Sequence, residues 1–163
     1  MSAKLLDVAQ AAARGSDRVG AEELADWLVQ GRADFALIDV RPPADFENGA
    51  IGEARNLSIA ELLSEDGMSS LPRDRKLVLY SNGAENSAKA ATLLRVAGFD
   101  AQVLSGGYTA WQSRILNPDI SAEELDGEAL AVSEQRALAC YFVGDRGESS
   151  AARPEVEFVP PVF

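Results

Sequence analysis

The stretch that decides the fold reads KLVLYSNGAENS, from Lys76 to Ser87. Residues 77–80 form a short apolar run, which is typical of a strand covered on both faces. The polar residues 81–83 that follow are turn residues, and residues 88–97 have the spacing of a helix. The stretch therefore predicts a strand, a loop and a helix. Backbone N–H groups of such a loop lie at the positive end of the helix dipole, where they can hold an anion.

This loop has the position of an active site but carries no obvious reactive group, because no Cys, His, Lys or Arg occurs between Ser81 and Ser87. Without a neighbouring base, the Ser81 hydroxyl stays protonated and is a weak nucleophile. We therefore interpret Ser81 as a turn hydroxyl or helix cap. An anion at the loop amides is an open alternative, which Glu85 opposes unless it points to solvent. The candidate residues for it are Ser81, Asn82, Gly83, Ala84, Glu85, Asn86 and Ser87.

The composition narrows the possible functions. The chain has 163 residues, 47% of them hydrophobic, which is enough for one sizeable core with extensions at its ends. The formal charge of -11 argues against nucleic acid, because every phosphate contact would be made against the protein's own field. The chain contains no histidine, the commonest general base and metal ligand. We expect neither a metal nor another cofactor.

The ends of the chain and its cysteine indicate where in the cell the protein is found. The N-terminal residues lack the apolar core of a signal peptide, and no run approaches transmembrane length. Cys140 is the single cysteine, which excludes an intramolecular disulfide and fits a reducing compartment. We therefore expect a cytoplasmic protein with no membrane partner.

Strand and helix patterns alternate along the middle of the chain. Predicted strands cover 35–40, 54–57, 76–80 and 101–104; predicted helices cover 21–31, 59–63, 88–97 and 108–116, with a helical turn at 45–47 and a polar loop at 64–74. Ser58 and Glu61 have capping-box spacing at the start of one helix. This order predicts an α/β fold with a parallel sheet, helices on both faces and right-handed crossovers.

Both ends extend beyond this alternation. Residues 3–14 have a helical pattern that Gly15 ends, and residues 128–143 predict a longer helix that Gly144 ends, after a possible helical turn at 120–125. The tail, residues 155–163, alternates acidic with apolar residues before its prolines, which bar it from a central strand. It either folds back on the domain or crosses to another molecule, and the sequence leaves both open.

Four groups of residues, in order, resemble a single-domain rhodanese. They are LIDVRPPADF at 37–46, GAIGEARNL at 49–57, the loop at Ser81 and LSGGYTAW at 104–111. The match covers about Val19 to Gln112. The resemblance implies a five-stranded parallel sheet, with the active-site loop after the fourth strand. On this basis we divide the chain into an N-terminal helical extension (1–16), a rhodanese-like domain (17–117), and a C-terminal helix with the tail (118–163).

The loop departs from the family pattern at the residues that do the chemistry. In active members it resembles Cys-x-x-Gly-x-Arg-Ser, and the cysteine becomes a persulfide. The resemblance places Ser81 at the cysteine position. Ala84 and Asn86 replace the glycine and the arginine, and Ser87 alone matches. Ala50 stands where the family usually has the histidine of Gly-His-Ile. A serine hydroxyl cannot carry sulfane sulfur, so the resemblance implies a retained fold with no expected catalytic residue.

Asp39 and Arg41 lie beside the expected pocket. The resemblance makes them scaffold residues, joined by an ion pair or loop hydrogen bonds that anchor the segment before Pro42. We expect the large aromatic side chains Trp27 and Trp111 to pack helices onto the sheet.

Cys140 has two interpretations. Its neighbours Leu138 and Phe142 favour a buried structural thiol. Alternatively it carries sulfur, with Arg136 one helical turn away as the nearby positive charge.

Taken together, the residues favour a catalytically inactive rhodanese-like domain that acts as a binding or regulatory module. A protein partner, or self-association, would use the C-terminal helix and tail, and a small anion could occupy the loop. One alternative is a sulfurtransferase-type protein that uses Cys140 as its sulfur carrier. Another is a structural subunit that self-associates through its terminal helices. The residues leave open whether the chain is an enzyme, although they favour a protein without enzymatic activity.

Overall fold

The computed structural model of the chain describes residues 3–118 and 129–147. The predicted helical turn at 120–125 and the tail at 155–163 lie outside these residues. Among the described residues, no helix is long and apolar enough to cross a membrane.

Five short parallel strands form a single sheet. They are β1 (Arg18–Val19), β2 (Phe35–Asp39), β3 (Arg55–Asn56), β4 (Lys76–Tyr80) and β5 (Ala101–Leu104), and their order across the sheet is β1-β5-β4-β2-β3. All four pairings are parallel, with Leu77 opposite Ala36 on one side and Ala101 on the other. β4 is therefore the central strand, as its continuous apolar run predicts.

Helices lie between and beyond these strands and cover both faces of the sheet. They are α1 (Ala3–Arg14), α2 (Ala21–Val29), α3 (Pro43–Glu47), α4 (Ile59–Leu62), α5 (Glu65–Ser70), α6 (Glu85–Val96), α7 (Gly107–Trp111) and α8 (Ala129–Gly147). A π-helical turn, Gln112–Leu116, continues α7. This architecture confirms the predicted α/β class, with a helix added at each end.

The two faces of β4 belong to two separate cores. Val78 and Tyr80 pack in a cluster with Trp27 of α2 and Trp111 of α7. The alternate residues of the strand, Leu77 and Leu79, lie in the other cluster, together with Ala90, Ala91 and Leu94 of α6. Successive side chains of a strand point to opposite faces, so a strand that is covered on both sides is apolar at every position.

The C-terminal helix α8 packs on the α2 side of the sheet. Leu138 and Phe142 are partly buried against that core. The ring of Phe142 meets the ring of Trp111 edge-on, with centroids 4.9 Å apart. Residues i and i+4 share one face of a helix, which explains why these two side chains make the contact.

The capping box at Ser58 is confirmed. The Ser58 backbone N–H donates to the Glu61 carboxylate at 2.8 Å, and the Glu61 N–H donates to the Ser58 hydroxyl at 3.2 Å. The predicted polar loop at 64–74 is wrong over half its length, because it contains α5. Ser64 caps that helix by accepting from the Gly67 N–H at 2.9 Å, and two acidic residues follow it in the first turn. Both features favour a helix start, although the segment has little apolar periodicity.

Other boundaries also differ from the prediction. α6 begins at Glu85 rather than at residue 88, and α8 continues past Gly144 to Gly147. The strand β1 has no counterpart among the strands predicted from the residue pattern. Two residues are too few to show a period, and this strand is defined only by the pairing of Arg18 and Val19 with β5.

Candidate functional site

The loop of residues 81–84 joins the carboxyl end of β4 to the start of α6. Ligand sites of open parallel sheets lie at this edge. Ala84 is the N-cap of α6 and makes no side-chain cap hydrogen bond. The first-turn N–H groups of a helix need partners from outside the helix, so this end of α6 offers donors to a ligand or to solvent.

The N-terminus of α7 holds the loop from one side. The Tyr108 N–H donates to the Ser81 carbonyl at 2.8 Å, and the Thr109 N–H donates to the Asn82 carbonyl at 3.0 Å. The approach is close because residue 107 has no side chain. A β-carbon there would meet the Gly83 carbonyl oxygen at 2.4 Å and the Ser81 carbonyl oxygen at 2.5 Å. Gly107 also has φ +60°, which other residues rarely adopt.

Ser81 is buried at the base of the loop, with 6% of its surface exposed. Its hydroxyl donates to the Gly83 carbonyl and lies 3.5 Å from the Ser87 hydroxyl. Ser87 in turn donates to the Ala84 carbonyl at 3.1 Å. All these partners are neutral oxygens, and none is a base. The geometry is that of a turn hydroxyl, which is how the sequence led us to interpret Ser81.

A shallow cavity of about 230 Å³ opens over the loop. Its lining residues are Val40, Arg41, Pro42, Ser81, Asn82, Gly83, Glu85 and Asn86. The Glu85 side chain is 84% exposed and pairs with Lys89 of the next turn at 3.1 Å. Its charge is therefore solvated and partly balanced. The Asn82 side chain leaves the loop and donates to the Asp45 carboxylate at 3.1 Å, which ties the loop to α3.

Asp39 and Arg41 form a buried ion pair beneath this cavity. Their side chains are 0% and 3% exposed. Arg41 Nε lies 3.0 Å from both Asp39 carboxylate oxygens, and Arg41 Nη2 lies 2.6 Å from Oδ2. Nη2 also donates to the Gly49 carbonyl at 2.6 Å. The pair therefore anchors the chain after β2 to the segment before β3.

Two tyrosines enclose the guanidinium of Arg41. Its carbon lies 3.9 Å from the ring centroid of Tyr108 and 5.5 Å from that of Tyr80. Burial alone would lower the pKa of Arg41, but hydrogen bonds and charge from Asp39 outweigh burial and raise the pKa. The guanidinium therefore stays charged. The sequence does not predict the two rings as partners of Arg41, because nothing local to Arg41 signals them.

The Tyr80 hydroxyl has its own partner, since it accepts a hydrogen bond from the Ile51 N–H at 3.0 Å. Burial raises the pKa of Tyr80 well above its ordinary value. The phenol is therefore a neutral structural group beneath the loop and takes no part in proton transfer near pH 7.

Cys140 is exposed, so its predicted burial is wrong. Leu138 and Phe142 face the core, and Cys140 lies two residues from each. Two residues turn a helix by about 200°, which puts the thiol on the far face. Cys140 is also not among the residues that line the cavity over Ser81. Within the described ranges, no group of three or more acidic or thiol side chains could hold a metal ion.

Comparison with known proteins identifies the family. The rhodanese-like domain model matches residues 20–114. The chain is 40% identical over 115 residues to the probable adenylyltransferase/sulfurtransferase MoeZ of Mycobacterium tuberculosis, covering 70% of this chain and 29% of MoeZ. It therefore spans less than a third of that relative. It is 31% identical over 96 residues to a sulfurtransferase of Allochromatium vinosum, covering 58% of this chain and 87% of the relative.

A solved structure agrees with these relatives. The crystal structure of the Alr3790 protein from Anabaena sp. superposes with a TM-score of 0.53 at 34% identity, covering 58% of this chain and 84% of that one. The family match covers strands β2 to β5 and the loop whose geometry is described above. On these grounds the chain belongs to the rhodanese-like domain family.

Proposed function

We propose that this chain is a catalytically inactive rhodanese-like domain that acts as a binding or regulatory module. The observation that carries the proposal is the state of Ser81. By motif match it takes the place of the persulfide-forming cysteine of active members. Its hydroxyl is buried and donates to the Gly83 carbonyl. An alcohol in this state cannot form a persulfide, and no base in the described part of the chain is hydrogen-bonded to it.

The charge around the loop supports the same proposal. An active loop would bind an anionic sulfur donor with its arginine, and Asn86 takes that position here. The nearest buried guanidinium, that of Arg41, is already bound to Asp39. Backbone N–H groups at the start of α6 remain as donors. The cavity can therefore accept a small anion or the polar edge of a partner, but it lacks the groups that transfer sulfur.

A sulfurtransferase assay tests the proposal. We expect purified protein to show no transfer of sulfur from thiosulfate to cyanide above a protein-free background, and Cys140→Ala to behave identically. The triple variant Ser81→Cys, Ala84→Gly, Asn86→Arg restores the motif and checks that the assay detects activity on this scaffold. Turnover by the native chain that survives Cys140→Ala would refute the proposal.

The exposure of Cys140 favours a second candidate, in which this thiol carries the sulfur. On this candidate, the Cys140 thiolate attacks the outer sulfur of thiosulfate or of an organic persulfide, the donor's S–S bond breaks, and sulfite or the donor thiol leaves. Cys140 gains one sulfur atom, and Cys140→Ala abolishes both the mass increase and any turnover. A thiol reagent applied without denaturant should label the native protein in either case. No labelling under those conditions would remove this candidate, because a buried thiol cannot exchange sulfur.

Exposed apolar side chains favour a third candidate, a self-associating structural subunit. Leu5 and Leu6 of α1 are 47% and 48% exposed, and Leu93 of the neighbouring helix α6 is 53% exposed. Sedimentation over a range of protein concentrations distinguishes the candidates. A monomer at all concentrations excludes self-association, whereas Leu5→Asp should dissociate a dimer built on these residues.

A further inference from the structure

A second cavity lies away from the loop. It has a volume of about 620 Å³ and opens near the amino end of β2, whereas the loop lies at the carboxyl end of β4. Its apolar wall consists of Leu28, Phe35, Leu37, Tyr141 and Phe142, and its charged rim consists of Arg32, Arg55, Arg75 and Glu53. We call this cavity the arginine groove. Neither the proposed function nor the loop motif at Ser81 uses it.

The arginine groove has an excess of positive charge on a protein whose formal charge is -11. Arg32 is bound by Asp34 at 2.9 Å and stacks on Trp27, so its charge is balanced. Within the described residues, the hydrogen bonds of Arg55 go only to the neutral Ser70, at 3.4 and 3.5 Å. Arg75 forms no ion pair within residues 3–118 and 129–147. Two arginines therefore face one carboxylate on the rim, and they suit an acidic occupant.

The tail of this chain has the matching chemistry. Glu155 and Glu157 alternate with the apolar Val156 and Phe158, so an extended chain would place acids on one side and apolar groups on the other. Pro160 and Pro161 lack N–H donors, which favours an extended chain over a helix. A segment of this kind fits a groove with an apolar floor and a cationic rim.

The position of α8 brings the tail within reach. Tyr141 and Phe142 are themselves part of the groove wall, and α8 ends at Gly147. The residues between Gly147 and Glu155 can span roughly 25 Å when extended. A segment tethered this closely has a high effective concentration at the groove, in the millimolar range, so contacts that would be weak between separate molecules suffice.

We propose that residues 155–159 dock into the arginine groove of the same molecule. Val156 and Phe158 lie against the wall formed by Phe35 and Phe142, and Glu155 and Glu157 face Arg55 and Arg75. The docked tail covers the apolar wall and withholds the groove from other acidic segments. This inference does not depend on whether the loop at Ser81 is inactive.

A spin label in the tail tests this placement in the full-length chain. In a Cys140→Ser background, Val162→Cys carries a nitroxide, and ¹H–¹⁵N spectra report which amides it broadens. We expect strong broadening at residues 28–37 and 52–55, and little at the loop 81–87. The pair Arg55→Glu and Arg75→Glu should lose most of this broadening.

Matched variants separate docking from altered folding and from net charge. Lys89→Glu with Arg114→Glu makes the same change in net charge at exposed sites outside the groove and should keep the broadening. The double variant Glu155→Lys, Glu157→Lys should lose the broadening without altering the fold of the domain. A variant with all four substitutions, Arg55→Glu, Arg75→Glu, Glu155→Lys and Glu157→Lys, reverses the charges of both the tail and the groove, and it should recover the broadening.

Three results would overturn the inference. The first is broadening that is absent from the groove or strongest elsewhere. The second is broadening that Arg55→Glu and Arg75→Glu leave unchanged. The third is broadening of ¹⁵N-labelled, spin-free protein when spin-labelled protein without ¹⁵N is added at equal concentration. That result would place the tail in the groove of a second copy instead of its own.

Discussion

A β-carbon on Gly107 would lie 2.4 Å from the carbonyl oxygen of Gly83, closer than any side chain tolerates. The N-terminus of α7 therefore sits directly on the loop that follows β4. The Tyr108 N–H completes this contact by donating to the Ser81 carbonyl at 2.8 Å. The shape of the loop thus depends on a residue far from it in the chain.

Gly107→Ala should lower the free energy of unfolding by about 3 kcal/mol, because the methyl group clashes with two carbonyl oxygens and φ is positive. Urea unfolding measures the change. The matched control is Gly31→Ala, since Gly31 has φ +64° and, among the described residues other than its chain neighbours, no atom lies within 4 Å of the added β-carbon. Gly31→Ala should lower the free energy of unfolding by about 1 kcal/mol, because the backbone conformation alone opposes it. Equal losses in the two variants would contradict the close contact between α7 and the loop.

Asp39→Asn should destabilise the protein by about 3 kcal/mol, because it leaves the charge of Arg41 buried without its partner. Chemical unfolding at pH 7 measures the loss. Asp34→Asn provides the comparison, since Asp34 makes a similar ion pair with Arg32 on the surface. Its stability should change little, because solvent screens an exposed pair. If both substitutions cost the same, the buried pair is not the anchor that its geometry indicates.

The buried Tyr80 side chain should lower the free energy of unfolding at high pH. Burial raises its pKa above the ordinary value of 10.0, so the folded state holds the phenol proton more tightly than the unfolded state does. The resulting stabilisation is complete below about pH 10 and is lost as the pH rises further. Unfolding free energies measured from pH 8 to pH 11 should therefore fall more steeply for the native chain than for Tyr80→Phe. Tyr141→Phe, at an exposed position, should keep the native slope.

Ser81→Cys in a Cys140→Ser background should give a thiol that is more acidic than an ordinary cysteine. The N–H groups at the start of α6 stabilise the thiolate, so the pH midpoint of its reaction with iodoacetamide should lie below about 8.5. Adding Asn86→Arg should lower the midpoint further, because the guanidinium adds a positive charge beside the sulfur. A midpoint at or above that of free cysteine would show that the loop does not stabilise an anion at this position.

Local sequence patterns were sufficient for the elements that hold the molecule together. The apolar run Leu77–Tyr80 predicted a strand buried on both faces, and the serine and glutamate spacing at Ser58 predicted a capped helix start. Each of these signals is carried by residues that are neighbours in the chain. Turn, capping and periodicity rules act over a few residues, so they apply before the fold is known.

The same rules did not predict features that depend on contacts between residues far apart in the chain. The two-residue strand β1 exists because it pairs with β5. Cys140 is exposed because Leu138 and Phe142, two residues away on either side, are the ones that meet the core. α5 was missed for another reason, since its cap at Ser64 was present but its polar composition predicted a loop.

At the candidate site, the family resemblance implied an ion pair or loop hydrogen bonds at Asp39 and Arg41, and the structure shows the ion pair. The sequence by itself determined the loop and its lack of a reactive side chain. Those residues are adjacent or nearly adjacent in the chain. Only the tertiary structure decided that α7 clamps the loop through Gly107 and that Tyr108 stacks on Arg41. It also decided that Arg55 and Arg75 share a groove with Phe142. These contacts join segments that lie far apart in the chain, so no local sequence pattern predicts them. They form only when the sheet brings those segments together.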